Sequence, residues 1–120
     1  MSVIRGTTPD FVLSIDDYDI TGKRAFVTIS QANRKITKTD DELSIEVVTG
    51  EDDQGNPTIT SEIGLQLSQE DTLYLTVGSA DVQVRIIDAT GYAEATDIGT
   101  IKITRVLLEK VISYAANITP

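Results

Sequence analysis

The apolar positions along this chain recur at a period of two. Phe11, Leu13 and Ile15 alternate with Val12 and Ser14, and Ala25, Val27 and Ile29 alternate with Phe26, Thr28 and Ser30. Successive side chains of a strand point to opposite faces, so each run predicts a strand with one face turned inward. The same alternation places strands at Leu43, Ile45 and Val47, at Val82, Val84 and Ile86, and at Ile101 and Ile103. The stretch 58–67 is longer. It carries Ile59, Ile63, Leu65 and Leu67 on one parity, with Gly64 as a candidate bulge or close-approach point.

Turn residues separate these runs at the spacing an all-β sandwich needs. Asp16, Asp17, Asp19 and Gly22 fall between the first two strands, while Ala32-Asn33-Arg34 and Thr39-Asp40-Asp41 flank a short segment from Lys35 to Lys38. The polar run 51–57 predicts a hairpin tip, and Asp88-Ala-Thr-Gly91 a tight turn in which Gly91 supplies a positive φ. One place reads as helical: Ser68-Gln-Glu-Asp71 is a capping start, where hydroxyl and carboxylate meet the orphan N–H groups of a first turn. Val77-Gly78 ends it after one or two turns. The expected fold is therefore all-β: an immunoglobulin-like antiparallel β-sandwich of about seven strands, with one short helical crossover near 68–75.

A chain of 120 residues leaves room for one domain, which the strands place at 1–105. The chain contains no Cys, His or Trp. That removes a Ser-His-Asp triad, a thiol nucleophile, disulfides and any zinc site of thiolate or imidazole, and it limits a likeness to antibody domains to their architecture. Neither a Walker-type phosphate loop nor a dinucleotide fingerprint occurs. Paired carboxylates could serve glycoside hydrolysis, but the chain has only 4 Tyr and 2 Phe, and the two Phe are expected in the packing. No catalytic residue and no cofactor is expected, and the protein reads as a non-enzyme.

Ten basic against nineteen acidic side chains give 10 − 19 = −9. Such a chain repels nucleic acid and anionic membrane alike, so neither is an expected partner. The N-terminus has Arg5 and no apolar block behind it, which predicts no signal peptide. The strongest apolar run, Val106-Leu107-Leu108, is far short of the ~20 residues a spanning helix needs. Without a secretory signal, the sequon Asn117-Ile-Thr119 carries no meaning.

Three acidic clusters invite calcium: Asp16, Asp17 and Asp19; Asp40, Asp41 and Glu42; Glu51, Asp52 and Asp53. The EF-hand pattern fails, since placing Gly55 at its invariant glycine puts Gly50 and Ser61 at the first and last ligand positions. Asp52 and Asp53 remain as candidates against a solvated turn. Beyond the last strand, Val106, Leu107, Leu108, Val111, Ile112 and Tyr114 place large apolar side chains past the point where the sandwich is complete. Two readings stand for this 106–120 extension: it packs back on the domain as added strand or short helix, or it is an interface with another protein or another copy. Edge strands offer a second route to association by strand addition.

Several segments, in order, resemble a group of short phage and prophage proteins of Gram-positive bacteria: Ile4-Arg-Gly-Thr-Thr-Pro9, Phe11-Val-Leu-Ser-Ile15, Val27-Thr-Ile-Ser-Gln31 and Ile36-Thr-Lys38. Leu65 to Leu73, Val82-Gln-Val-Arg-Ile86, Asp88-Ala-Thr-Gly91 and Arg105 to Ile112 continue the match over nearly the whole chain. The resemblance implies an Ig-like fold and a structural role in a tail or baseplate, with other phage structural proteins or a second copy as partners. It implies a location in the host cytoplasm during assembly and in the virion afterwards. The alternative is a carbohydrate- or receptor-binding adhesin domain that uses the tip 51–56 and Tyr92.

Overall fold

The computed structural model describes residues 2–114; the sequon at 117–119 lies outside them. Nine strands form two sheets: β1 (Ser2–Ile4), β2 (Asp10–Asp16), β3 (Arg24–Gln31), β4 (Arg34–Thr39), β5 (Leu43–Glu51), β6 (Pro57–Gln66), β7 (Gly78–Ile87), β8 (Ala93–Ala95) and β9 (Gly99–Thr104). Among the described residues a single helix α1 (Gln69–Tyr74) joins β6 to β7, and a 3-10 turn at Asp40–Glu42 joins β4 to β5. One sheet runs β1-β9-β7-β3-β4 with β8 also paired to β7; the other runs β2-β6-β5. All pairings are antiparallel except that of β1 with β9. The strand order is that of an immunoglobulin sandwich: β9, β7, β3 and β4 stand where strands G, F, C and C′ stand, and β2, β6 and β5 where B, E and D stand.

The alternation read from the sequence fixes the inner faces. Ala25, Val27 and Ile29 of β3, Val84 and Ile86 of β7, and Ile101 and Ile103 of β9 are buried in one core with Phe11, Ile63 and Leu65 of the opposite sheet and Leu67 just past β6. Three strands are additions to that reading. β4 has a single buried apolar residue, Ile36, β8 is Ala-Glu-Ala, and β1 is three residues long. None offers enough alternation to be found from pattern. Phe26, expected in the core, sits on the outer face of its sheet with the Arg24 guanidinium 5.2 Å from its ring centre. Gly64 is no bulge, because β6 keeps unbroken register with β2 and β5 on either side of it.

Polar side chains pin the connections. Ser61, wholly buried, donates to Tyr18 O (2.7 Å) and accepts from Ile20 N (3.0 Å), which seats Ile20 in the core. The Gln31 amide closes on Thr76 from both sides: Nε2 donates to Thr76 O and Oε1 accepts from Thr76 N, each at 2.7 Å. The capping box at α1 forms as the sequence predicts, with Asp71 N donating to Ser68 Oγ and Ser68 N to Asp71 Oδ2. Burial stops partway along the β5–β6 hairpin: Ser61 is enclosed, whereas 48–57 are exposed and project beyond the sandwich.

Aspartates organise the turns, and this sets the pH response. The Thr21 hydroxyl and N–H hold the Asp19 carboxyl low, the Asn56 and Gln54 N–H groups hold Asp52 low, and Thr90 does the same for Asp88. Burial pulls Asp71 upward, but Lys38 (2.8 Å) and the Ser68 N–H outweigh it, and the net shift is downward. A carboxyl depressed in the folded state stabilises it above the unfolded value, about 3.9, and that stability is lost as pH falls through the folded values. Thermal melts from pH 7 to 2 should therefore show a fall that begins below about pH 4. A melting temperature that drops steeply between pH 6 and 5 would contradict this account.

Candidate functional site

The first and last strands meet side by side at one end of the sandwich. Arg5 N donates to Thr104 O (3.0 Å) and Thr104 Oγ1 to Val3 O (3.2 Å). The chain then leaves the sheet, and 106–114 contain neither strand nor helix. This strap neither extends β9 nor folds back as a helix, the two forms that packing on the domain would have taken.

Three contacts fix its course. Val106 is half-buried, and its side chain and that of Leu73 both lie against Gly6, whose φ of +78° is the left-handed turn that glycine adopts without strain. Arg5, which is largely buried, donates from Nε to Leu75 O (2.7 Å) and from Nη2 to Leu73 O (2.9 Å), and its Nη1 lies 2.9 Å from Glu109 Oε1. One guanidinium thus ties the end of α1 to the strap, at the negative pole of the helix. Further along, Gln69 grips the strap backbone with both ends of its amide: Ile112 N donates to Oε1 (2.8 Å) and Nε2 donates to Ile112 O (3.0 Å).

The side chains so positioned point outward. Of the six predicted interface residues only Val106 turns toward the body. Leu107 and Tyr114 are 86% and 87% exposed, and Leu108, Val111 and Ile112 lie at 54%, 49% and 49%. Five large apolar side chains thus crowd one exposed segment with its backbone held in place. The pattern of the sequence announced these residues. It did not announce Arg5 or Gln69, which act across 104 and 43 residues of chain respectively and carry no local signal.

The other candidates are placed differently. The tip 51–57 is the expected hairpin turn, and Asp52 Oδ1 is engaged by Gln54 N and Asn56 N, both at 2.9 Å. Asp53 is exposed beside it. Among the described residues, no three acidic groups converge as a metal site would require. Tyr92 is exposed after the Asp88 turn, at the end of the sandwich opposite the strap. Among the described residues, no helix is long and apolar enough to cross a membrane.

No protein-family model and no curated protein matches the chain. Among solved structures it is similar to AggA, the major subunit of aggregative adherence fimbriae type I from Escherichia coli, with 14% identity over 88% of each chain and a TM-score of 0.44. A likeness of that size carries no argument about what this chain does.

Proposed function

We propose that this protein is a non-catalytic structural module of a phage or prophage particle, placed in the tail or baseplate region, which binds other particle proteins through the strap 106–114. The observation that carries the proposal is the row of exposed apolar side chains at Leu107, Leu108, Val111, Ile112 and Tyr114 on a backbone anchored by Arg5 and Gln69. Contiguous apolar surface of this kind marks an interaction site on soluble proteins. The resemblance of the chain's segments to phage and prophage proteins supports the particle assignment.

The test is a stop codon after Arg105. The shortened chain is expected to keep the far-UV spectrum of the sandwich, because the core ends with β9, and to be missing from particles purified from the host strain, where the full chain is present. A shortened chain that enters particles as well as the full one would remove the strap as the contact. A full chain that never co-purifies with particles would remove the phage role, and a shortened chain that fails to fold would make the strap part of the core.

A further inference from the structure

The sheet β2-β6-β5 lacks a strand. In the immunoglobulin frame a further strand lies beside the position of β2, but here β1 pairs with β9 of the other sheet and residues 5–9 run on without joining β2. The open edge can be read residue by residue. Leu67 N donates to Pro9 O (3.1 Å) and Asp17 N to Ile59 O (2.9 Å), and the register between them is unbroken. Bonded pairs alternate in an antiparallel ladder, so Phe11, Leu13 and Ile15 bond to β6, and Asp10, Val12, Ser14 and Asp16 turn their N–H and C=O groups to the open side. Among the described residues, none of these four backbones has a partner.

Beside this edge the sandwich is not closed. A groove of about 510 Å³ separates β2 from the other sheet, lined by Val12, Leu13 and Ile15, by Val82 of β7, and by Thr96 and Asp97 in the link between β8 and β9. Leu13, Ile15 and Val82 pack on the core but remain partly open to solvent, and Val12 is 58% exposed. An extended segment with one apolar face would complete both the ladder and the core.

The strap is such a segment. On strand alternation Val106, Leu108, Ile112 and Tyr114 share one face, interrupted only by Lys110, and Leu107, Glu109, Val111 and Ser113 share the other. Its charge also fits. Within 106–114 Lys110 and Glu109 cancel, 1 − 1 = 0, in a chain of net charge −9, so the strap meets without net repulsion an open edge flanked by Asp10 and Asp16 with Asp97 in the groove. A chain's own strap is held instead by Gln69, three residues past the end of β6. We propose that the strap of a second copy adds as a strand to the β2 edge, with Leu108, Ile112 and Tyr114 in the groove, and exchanges the Gln69 clasp for a backbone ladder. Strap and groove are different surfaces, so the contact is head-to-tail and repeats into a ring or filament. This inference rests on the reading of the strap as an interaction element and names its partner and its acceptor.

The test uses two full-length variants and light scattering coupled to size exclusion. Ser14→Pro removes an outward N–H that the β2–β6 ladder does not use, and Leu108→Asp with Ile112→Asp spoils the strap. The wild-type chain is expected to grow past a dimer with concentration, each variant alone to be a monomer with association weakened at least tenfold, and their equimolar mixture to form a complex of two chains, one intact strap in one intact groove. A wild-type chain that stays monomeric to millimolar concentration would overturn the inference while leaving a foreign partner for the strap. Assembly of Ser14→Pro with only the strap variant impaired would move the acceptor elsewhere and overturn it too. Assembly unaffected in the strap variant would overturn this inference, while the stop after Arg105 tests the reading beneath it separately. Should circular dichroism show Ser14→Pro unfolded, Val12→Lys replaces it, because Val12 is exposed and its change blocks the same edge.

Discussion

Replacing Arg5 with alanine is expected to lower stability by about 3 kcal/mol, because it strands two carbonyls at the end of α1 and releases Glu109 together. Hydrogen bonds from a charged donor are worth more than neutral ones, and Leu73 O and Leu75 O lie where the guanidinium is largely buried. In a chain of this size the loss should appear as a drop of roughly 10 °C in melting temperature. Arg5→Lys should recover little of it, since an ammonium cannot bridge two carbonyls and a carboxylate in one plane. Amide exchange would localise the effect: protection should fall first in α1 and in 106–112, before β3 and β7 respond. A melting temperature within 2 °C of wild type would show that Arg5 is a surface residue in solution and that the strap is not anchored through it.

The second large effect separates the core from the arm. Ile63 is wholly buried at the centre of β6, and Ile63→Ala should cost about 3–4 kcal/mol through lost burial and the cavity left behind. Ile59, four residues earlier on the same parity of the same strand, is only half-buried because the hairpin has left the sandwich by that point, and Ile59→Ala should cost under about 1 kcal/mol. Denaturant titrations of the two variants measure both. Equal losses would mean that the projecting hairpin is packed against something the sandwich supplies.

Much of this architecture could be read from one sequence, because a sandwich writes its inner faces as alternation. Ala25-Val27-Ile29 and Val84-Ile86 are buried on the parity the pattern shows, with Val82 partly so, and Ser68 to Asp71 carries its cap in four residues. What stayed hidden has particular causes. Phe26 follows its own parity outward under Arg24, since position in the pleat outranks apolarity of the side chain. β1 and β8 are too short and too small to alternate. The apolar strap was visible as composition, but its path depends on Arg5 and Gln69, residues whose partners lie far along the chain. The open edge of β2 was invisible for a related reason: a missing neighbour leaves no mark on the strand that lacks it.

The pairing of β1 with β9 sets the order of events during folding. Val3 and Thr104 are 101 residues apart and bonded to one another, so nascent β1 must wait, unpaired, until nearly everything between them has been made. Contacts of such separation bring a large loop-closure cost before any reward and place the chain among slow-folding β proteins, on a scale of about milliseconds to seconds. The hairpins β3–β4 and β5–β6 can form as soon as they emerge; the seam between beginning and end closes last. During that interval Val3 and Ile103, both buried at the finish, face water.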